Sequence, residues 1–448
     1  MFGLDRFTLQ GKETRMELSR RTVLRGGLGV GASLALGACG RTSPDAAAGE
    51  PVRLTYWSWL KGLDKVTDIW NAKNPHVQVE TVWIKSGNQG GYQKLFSALA
   101  SGGGPDLAHV ELRQASAFMM VDGLVDMTQY GADAVTDRFE ASVLNQVTFN
   151  GGVYGLPQDS GPTAFFYRTD VMEAIGAEPP ATWEDWAAVA REYRAADRYL
   201  ECFPIADGGY FCAYAMQAGA NWFQIDGDSW VIDMTDDATL EVAAFFDRAI
   251  DENLVNVSIS PFSPGWFAAA GTGQLGAITS ASWADELIKG VGGTEGLWRV
   301  APMPRWTGGF GSAQLGGSTV ATMSSSRHPQ EATDFAMWMT TDPEAIDAQI
   351  LHCGIGWSPV SDYIGTPRLQ QSEFFGGQNY NTEVFVPAAQ QQNPNWSWAP
   401  TAQQVFNVLS DGFRSKLTDG VPLVDSCRAA QDAAVRMLKN KGLNVRTA

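Results

Sequence analysis

A chain of 448 residues with 49 Asp/Glu against 32 Lys/Arg carries a formal charge of −17. Its length exceeds what one core comfortably organises, so two lobes are expected. Such acidity argues against nucleic acid or an anionic membrane surface as partner, and its everyday meaning is solubility. Four His scattered at 76, 109, 328 and 352, with no Cys-x-x-Cys, give no support to a metal site. Sixteen Trp, 22 Phe and 11 Tyr make the chain aromatic-rich. Core packing accounts for most of these rings, but Trp clusters in loops ask for another reason.

Residues 1–39 are expected to be an export signal. Ser19-Arg20-Arg21-Thr22-Val23-Leu24 holds a twin arginine, although Val23 stands where a bulkier Phe is usual. Gly26 to Ala38 is a weakly apolar stretch, too short for the ~20 residues a membrane span needs. Leu36-Gly37-Ala38-Cys39 resembles a lipoprotein-processing box with Cys39 as the acylated residue, and Met1 and Met16 both stand as starts. Several acyl chains at Cys39 would anchor the protein to the outer face of the bacterial cytoplasmic membrane. Residues 40–51, small and polar, would serve as a flexible tether. The leader holds six Arg/Lys and three Asp/Glu, a net of +3, so the mature part carries −20.

Four cysteines remain in what would be an oxidising compartment: Cys202, Cys212, Cys353 and Cys427. Three pairings are open to them. Cys202 with Cys212 closes a short local loop and is the expected pair, which leaves Cys353 with Cys427; the alternative is buried thiols.

In chain order, Val52 to Trp57 alternates and reads as a first strand that delivers Ser58, Trp59 and Lys61 into a turn. Leu63 to Asn74 reads as a helix and Val77 to Trp83 as a second alternating strand. Ser86 to Gly91 is a polar glycine loop that offers Asn88 as a ligand contact, before a helix from Tyr92 to Ala100. Pro105 to Val110 is another strand, with Asp106 bracing its entry and Glu111 and Arg113 just beyond its end. Ligands in open α/β sheets bind outside the carboxyl ends of strands, so Trp59 and Glu111 are contact candidates. The same residues also suit a rim Trp and an ordinary surface acid.

Asp126 to Asn150 is a mixed helical connection. Then Gly151-Gly152-Val153-Tyr154-Gly155-Leu156-Pro157 ends a strand in the polar loop Gln158 to Pro162, and Ala164-Phe165-Phe166-Tyr167 resumes as a fully apolar one. A strand that stops in a Pro/Gly loop and restarts suits either a crossing between two lobes or a plain connection within one. A crossing would place Asp159 and Ser160 at a junction, where ligand sites favour sitting. Pro179-Pro180 and Thr182 then introduce a capped helix, Trp183 to Asp197.

The run Gly-x-x-Tyr-Gly-x-Pro, then Phe166-Tyr167-Arg168-Thr169-Asp170, then Pro-Pro-x-Thr-Trp-Glu-Asp resembles the extracellular solute-binding proteins of carbohydrate ABC importers, the maltose-binding-protein-like receptors. The β-loop-α-β opening and Gly-Gly-Pro-Asp at 103–106 are similar to that family's start, and the resemblance extends over nearly the whole mature chain. It implies an α/β, periplasmic-binding-protein-like fold: two α/β lobes, a multi-crossing hinge and a ligand cleft between them. The expected division is 52–157 with 312–352 in one lobe and 158–311 with 353–448 in the other.

Further along, Tyr210 to Gln217 and Thr239 to Asn253 read as helices, and Ile225 to Asp233 as two short strands about an Asp-Gly turn. Gly271-Thr272-Gly273-Gln274-Leu275-Gly276 satisfies Gly-x-Gly-x-x-Gly, but a helix precedes it and a strand follows, the reverse of a dinucleotide site. The resemblance places an aromatic in the cleft after this strand, at Trp283, and another at Trp222. Val300 to Gly317 looks like the second crossing, with Gly317 letting bare backbone approach a ligand. Gly354 to Pro359 looks like the third, with Trp357 in contact. Pro394 to Trp398 resembles a Trp-bearing loop of the second lobe, which offers Trp398. Helices are expected over Arg327 to Met339, Asp342 to Leu351 and Val424 to Leu438.

The resulting expectation is a monomeric, lipid-anchored receptor without cofactor that captures a sugar and delivers it to a membrane permease. Two alternatives stand beside it. A secreted carbohydrate-active enzyme would need two acids at set separation, such as Glu111 and Asp159, and a receptor for a cationic or peptide solute would use the acidic balance.

Overall fold

A computed structural model describes residues 50–448. The leader, Cys39 and most of the 40–51 tether lie outside the described residues. Along the chain the strands are β1 (Val52–Ser58), β2 (Val77–Trp83), β3 (Leu107–Glu111), the short pair β4 (Thr148–Phe149) and β5 (Gly152–Val153), β6 (Leu156–Asp159) and β7 (Thr163–Arg168). They continue as β8 (Phe223–Asp226), β9 (Ser229–Ile232), β10 (Ala277–Ala281), β11 (Trp298–Pro302), β12 (Ser318–Thr322) and β13 (Asn444–Thr447).

Alternation in β1 buries Leu54, Tyr56 and Ser58 on one face, as a period-two strand over a core must. β1 lies parallel to β2 and β3, and β12 runs antiparallel to both β3 and β6, giving the order β2-β1-β3-β12-β6. Parallel neighbours require crossovers, and helices Leu63–Lys73 and Gly91–Ala100 supply them. The first helix turns Leu63, Val66 and Trp70 into a core shared with Leu107, Val320, Phe335 and Met339. Asp106 braces the sheet: its carboxylate accepts from the Thr55 amide (2.8 Å) and the Ser326 hydroxyl (2.7 Å).

The apolar run at 164–166 becomes the centre of a second sheet, β10-β7-β11, with both neighbours antiparallel. Strand β11 occupies residues expected to begin the second crossing, because Trp298 and Val300 pack into the core around Phe166. A capping box starts helix Trp183–Ala195: the Asp185 amide donates to the Thr182 hydroxyl and the Thr182 amide to the Asp185 carboxylate. That helix carries Trp183 and Trp186 into an aromatic core with Tyr214, Phe245, Phe246 and Trp306, where Trp183 and Trp306 stack at 5.0 Å. β8 and β9 form the hairpin read about Asp226-Gly227, and β13 adds in parallel at the chain's end. Helix Pro264–Thr272 precedes β10, so the Gly-x-Gly-x-x-Gly run is a helix exit, with Gly273 in the left-handed region at φ 75°.

The chain leaves the first sheet after β6, through Ser160 to Pro162, and returns after β11, through Met303 to Gly317. It leaves again after helix Pro343–Cys353, which packs on helix Leu63–Lys73, since Phe375 and Tyr380 join the core around Phe166. Backbone bonds lace the three crossings together: Ser160 N–H to Trp357 C=O (2.9 Å), Leu315 N–H to Gly161 C=O (2.9 Å) and Thr163 N–H to Ala313 C=O (3.0 Å). Two α/β lobes therefore meet at a multi-strand hinge.

The expected disulfides do not form: Cys202, Cys212, Cys353 and Cys427 are all free. Cys202 belongs to the core around Phe166, whereas Cys212 belongs to the core around Trp183, so proximity in sequence does not bring them together. Burial pushes the Cys202 and Cys353 thiols up to about 12, which keeps them protonated and poorly nucleophilic.

Candidate ligand cleft at the lobe junction

Glu111 ends β3, and the turn that follows, Leu112–Gln114, presents Arg113. Both carboxylate oxygens of Glu111 are engaged: Oε2 accepts from the Tyr92 hydroxyl (2.6 Å) and Oε1 from Arg113 Nη2 (2.8 Å). The Tyr92 oxygen accepts in turn from the Glu111 amide (3.2 Å). Burial and the neighbouring Glu111 charge raise the Tyr92 phenol well above its ordinary range. Burial works against the Arg113 charge, but Glu111, Tyr92 and Asp207 together outweigh it and the guanidinium's pKa is raised.

From the second crossing come Gln314, Leu315, Gly316 and Gly317. Gly316 and Gly317 both have left-handed backbone, φ 88° and 107°. A Cβ on Gly317 would lie 2.6 Å from Leu112 Cδ1 and 2.7 Å from Gln314 Nε2, so only glycine closes this turn against β3's exit. From the second lobe come Gly209 and Cys212 on helix Gly208–Ala218, with Trp398 and Phe406 set edge to face at 5.8 Å. These residues line a narrow cleft with a cavity volume of about 30 Å³. Contacts cross it at the sides: the Arg113 guanidinium lies 5.9 Å from the Phe406 ring centre, and Trp398 Nε1 donates to Gln146 Oε1 (2.6 Å). Gln146 in turn bonds Gln314.

Of the residues singled out in the sequence, Glu111, Gly317 and Trp398 line this cleft. Trp283 stands beside it, half-buried, with its indole N–H donating to the Leu315 carbonyl (2.8 Å). Asp159 ends β6 opposite Ser318, the neighbour of Gly317, and accepts that serine's hydroxyl. Burial lifts its carboxyl to about 6, against the Ser318 bonds. Trp59 sits one layer back, 4.1 Å from His109 and edge-on to Tyr92 at 5.8 Å. His109 is held neutral, its pKa lowered to about 3 by burial.

Two tryptophans must be reassigned. Trp222 has no exposed surface: it packs on Phe211, Phe223 and Trp396 and donates to the Thr239 hydroxyl (2.7 Å). Trp357 is 1% exposed and is a hinge residue, its N–H on Glu140 (3.2 Å) and its carbonyl on the Ser160 amide. Neither ring has a face to offer a ligand. Ser160 is likewise enclosed at 1% exposure within the hinge. Asn88 lies in the turn Gly87–Gln89, and its side chain is outside the described residues.

Tyr92, Gly209, Cys212, Gln314 and Phe406 were not anticipated. Gly209 and Cys212 lie on a helix buried all round, which leaves no periodic signature of a special face. Phe406 has the spacing of an ordinary core residue in helix Ala402–Asp419. Arg113 was legible only as a charge two residues past Glu111. Among the described residues no group of three or more His, Cys, Asp or Glu stands where it could hold a metal, and no helix is long and apolar enough to cross a membrane.

Residues 57–346 match the family described as bacterial extracellular solute-binding protein. The chain is 26% identical over 434 residues to the lactose-binding protein of Rhizobium radiobacter, covering 89% of this chain and 95% of that one. The arabinooligosaccharide-binding protein of Halalkalibacterium halodurans is 22% identical over 386 residues, covering 81% of this chain and 85% of the relative. Among solved structures, the galacto-N-biose/lacto-N-biose I-binding protein of an ABC transporter from Bifidobacterium longum, in complex with lacto-N-biose, superposes with a TM-score of 0.79. It is 26% identical and covers 89% of this chain and all of its own. The match spans more than half of the chain, so this protein belongs to the bacterial extracellular solute-binding protein family.

Proposed function

We propose that this chain is the substrate-binding component of an ABC importer, a monomer tethered outside the membrane by a lipid on Cys39, that captures a sugar between its lobes and passes it to the permease. One observation carries the reading: a likeness over most of the chain to proteins named for lactose, arabinooligosaccharide and lacto-N-biose, coinciding with a lobe-junction cleft that pairs aromatic and polar walls. The movable parts in this reading are residues 52–157 with 312–352 and residues 158–311 with 353–448.

A sugar has apolar C–H faces and a polar rim. Trp398 and Phe406 suit the faces, and the Gly316–Gly317 backbone, Gln314, Glu111 and Arg113 suit the rim, where each hydroxyl left unpaired costs about 1–3 kcal/mol. Micromolar capture needs about −8 kcal/mol. Closure follows only if the ligand prefers the closed form, because equal affinity for open and closed lobes shifts nothing. The cleft's acid Glu111 and the nearby Asp159 are committed to structural bonds: Glu111 to Tyr92 and Arg113, Asp159 to Ser318. That commitment favours binding without turnover.

A thermal-shift screen from mono- to tetrasaccharides, followed by calorimetry, tests the reading. It expects a sugar bound one per chain and recovered unaltered after long incubation. Stabilisation by polyamines or peptides alone would move the protein to another solute class, and turnover would make it an enzyme. Replacing Cys39→Ser should release the protein from the membrane fraction.

A further inference from the structure

Among the described cleft-lining side chains, one carries a buried polar atom with no partner: Arg113, at Nε. Its guanidinium is held at Nη2 by Glu111 (2.8 Å) and faces Phe406 of the opposite lobe (5.9 Å). A planar fork fixed at one corner and flanked by an aromatic ring has a set direction, and burying an unpaired donor is costly unless a partner arrives. Other unpaired buried donors, such as Trp266 Nε1 and Trp306 Nε1, belong to side chains that do not line the cleft. Among the described residues, Arg113 alone joins an unmet donor to the cleft wall.

Charge narrows what that partner is. Glu111 already balances Arg113, Asp207 also lies within its field, and Asp159 feels Glu111. An anionic ligand would meet several fixed acids for one spoken-for cation, whereas a neutral oxygen would meet only the open donor.

Resting on the sugar-binding reading, we propose that Arg113 is a specificity-determining residue: it donates from Nε to an uncharged hydroxyl or ring oxygen of the ligand and selects neutral sugars over uronic acids. The guanidinium carbon lies 5.9 Å from the Phe406 ring across the cleft, so in this proposal the bond is completed when the two walls are together.

The test is calorimetry on the purified chain with the tightest neutral disaccharide of the screen, its single-deoxy analogues and the corresponding uronic-acid disaccharide. The unaltered chain should bind the uronate at least about tenfold more weakly than the neutral sugar. Arg113→Met should weaken the neutral sugar about tenfold or more. One deoxy analogue should lose about as much with the unaltered chain and show no further loss with the variant. Arg113→Lys retains the charge without the fork and should recover only part of the affinity, and it carries the test should the Met variant not fold. Unchanged affinity in the Lys and Met variants, additive losses for every deoxy analogue, or a uronate that binds as tightly as its parent would overturn the assignment of Arg113 while leaving sugar binding intact. If the unaltered chain binds no sugar of the panel, the functional reading itself is overturned, and this proposal with it.

Discussion

Trp222 and Trp398 both belong to one aromatic core, each within 5.5 Å of Trp396, yet they differ in what borders them. Around Trp222 the indole N–H meets Thr239, that hydroxyl meets Asp236, and rings cover every face. Trp398, 7% exposed, is less completely enclosed: it rests on Phe406 and Trp396, borders the cleft, and its N–H reaches Gln146. A folded core completes its own contacts, and a binding wall leaves some for a guest. On the proposed function, Trp222 is the first kind of residue and Trp398 the second.

The comparison breaks first at Trp222. Trp222→Ala empties a sealed site and should cost about 3–5 kcal/mol in chemical unfolding, while the affinity of the folded fraction for sugar stays unchanged. A selective loss of affinity without lost stability would put Trp222 back at the cleft.

Trp283→Ala should do the opposite. Its ring is half-buried beside Leu315 and Gly316, so its loss should weaken sugar binding at least tenfold, about 1.4 kcal/mol, with the fold intact by circular dichroism. An unchanged dissociation constant would remove Trp283 from the site.

The hinge adds a smaller, pH-dependent effect. Glu140 accepts from Trp357 through one oxygen, its other oxygen is buried without a partner, and burial lifts its carboxyl to about 7. Because the folded pKa lies above the unfolded one, the folded chain binds more protons between them. This contribution to stability is full below about pH 4.5 and is lost as pH rises through about 7. Asp159, lifted to about 6, acts in the same direction, and His109, lowered to about 3, acts in the opposite one. Glu140→Gln fixes a neutral side chain, so it should raise the melting temperature at pH 8 and leave it nearly unchanged at pH 4.5. Equal shifts at both pH values would show that Glu140's ionisation is not coupled to folding. The smallest effect is a null: with four free thiols, reductant should leave the melting temperature where it was.

Much of the fold was legible in the residues. Alternation marked β1 and β2, the Thr182-led capping box marked its helix, and the break at Pro157 to Pro162 marked where the chain leaves one sheet for another. β11 and β13 were not legible, because each is stabilised by a distant strand, β7 or β9, rather than by its own pattern. The lining of the candidate cleft was legible where backbone demanded a residue type, as at Gly317, or where a strand end delivered a charge, as at Glu111. It was illegible among tryptophans: Trp222, Trp357 and Trp398 look alike in sequence, and only the neighbours that three-dimensional packing supplies decide which ring borders the cleft. The cysteines teach the same lesson, since ten residues of separation say nothing about which core each thiol enters.

The most direct test of the central claim is a crystal structure of the chain with the best sugar from the screen. One sugar should be held between the lobes, bounded by Trp398 and Phe406 on one side and by Glu111, Arg113 and Gly316–Gly317 on the other. A sugar bound elsewhere on the chain, with this cleft left empty, would contradict it.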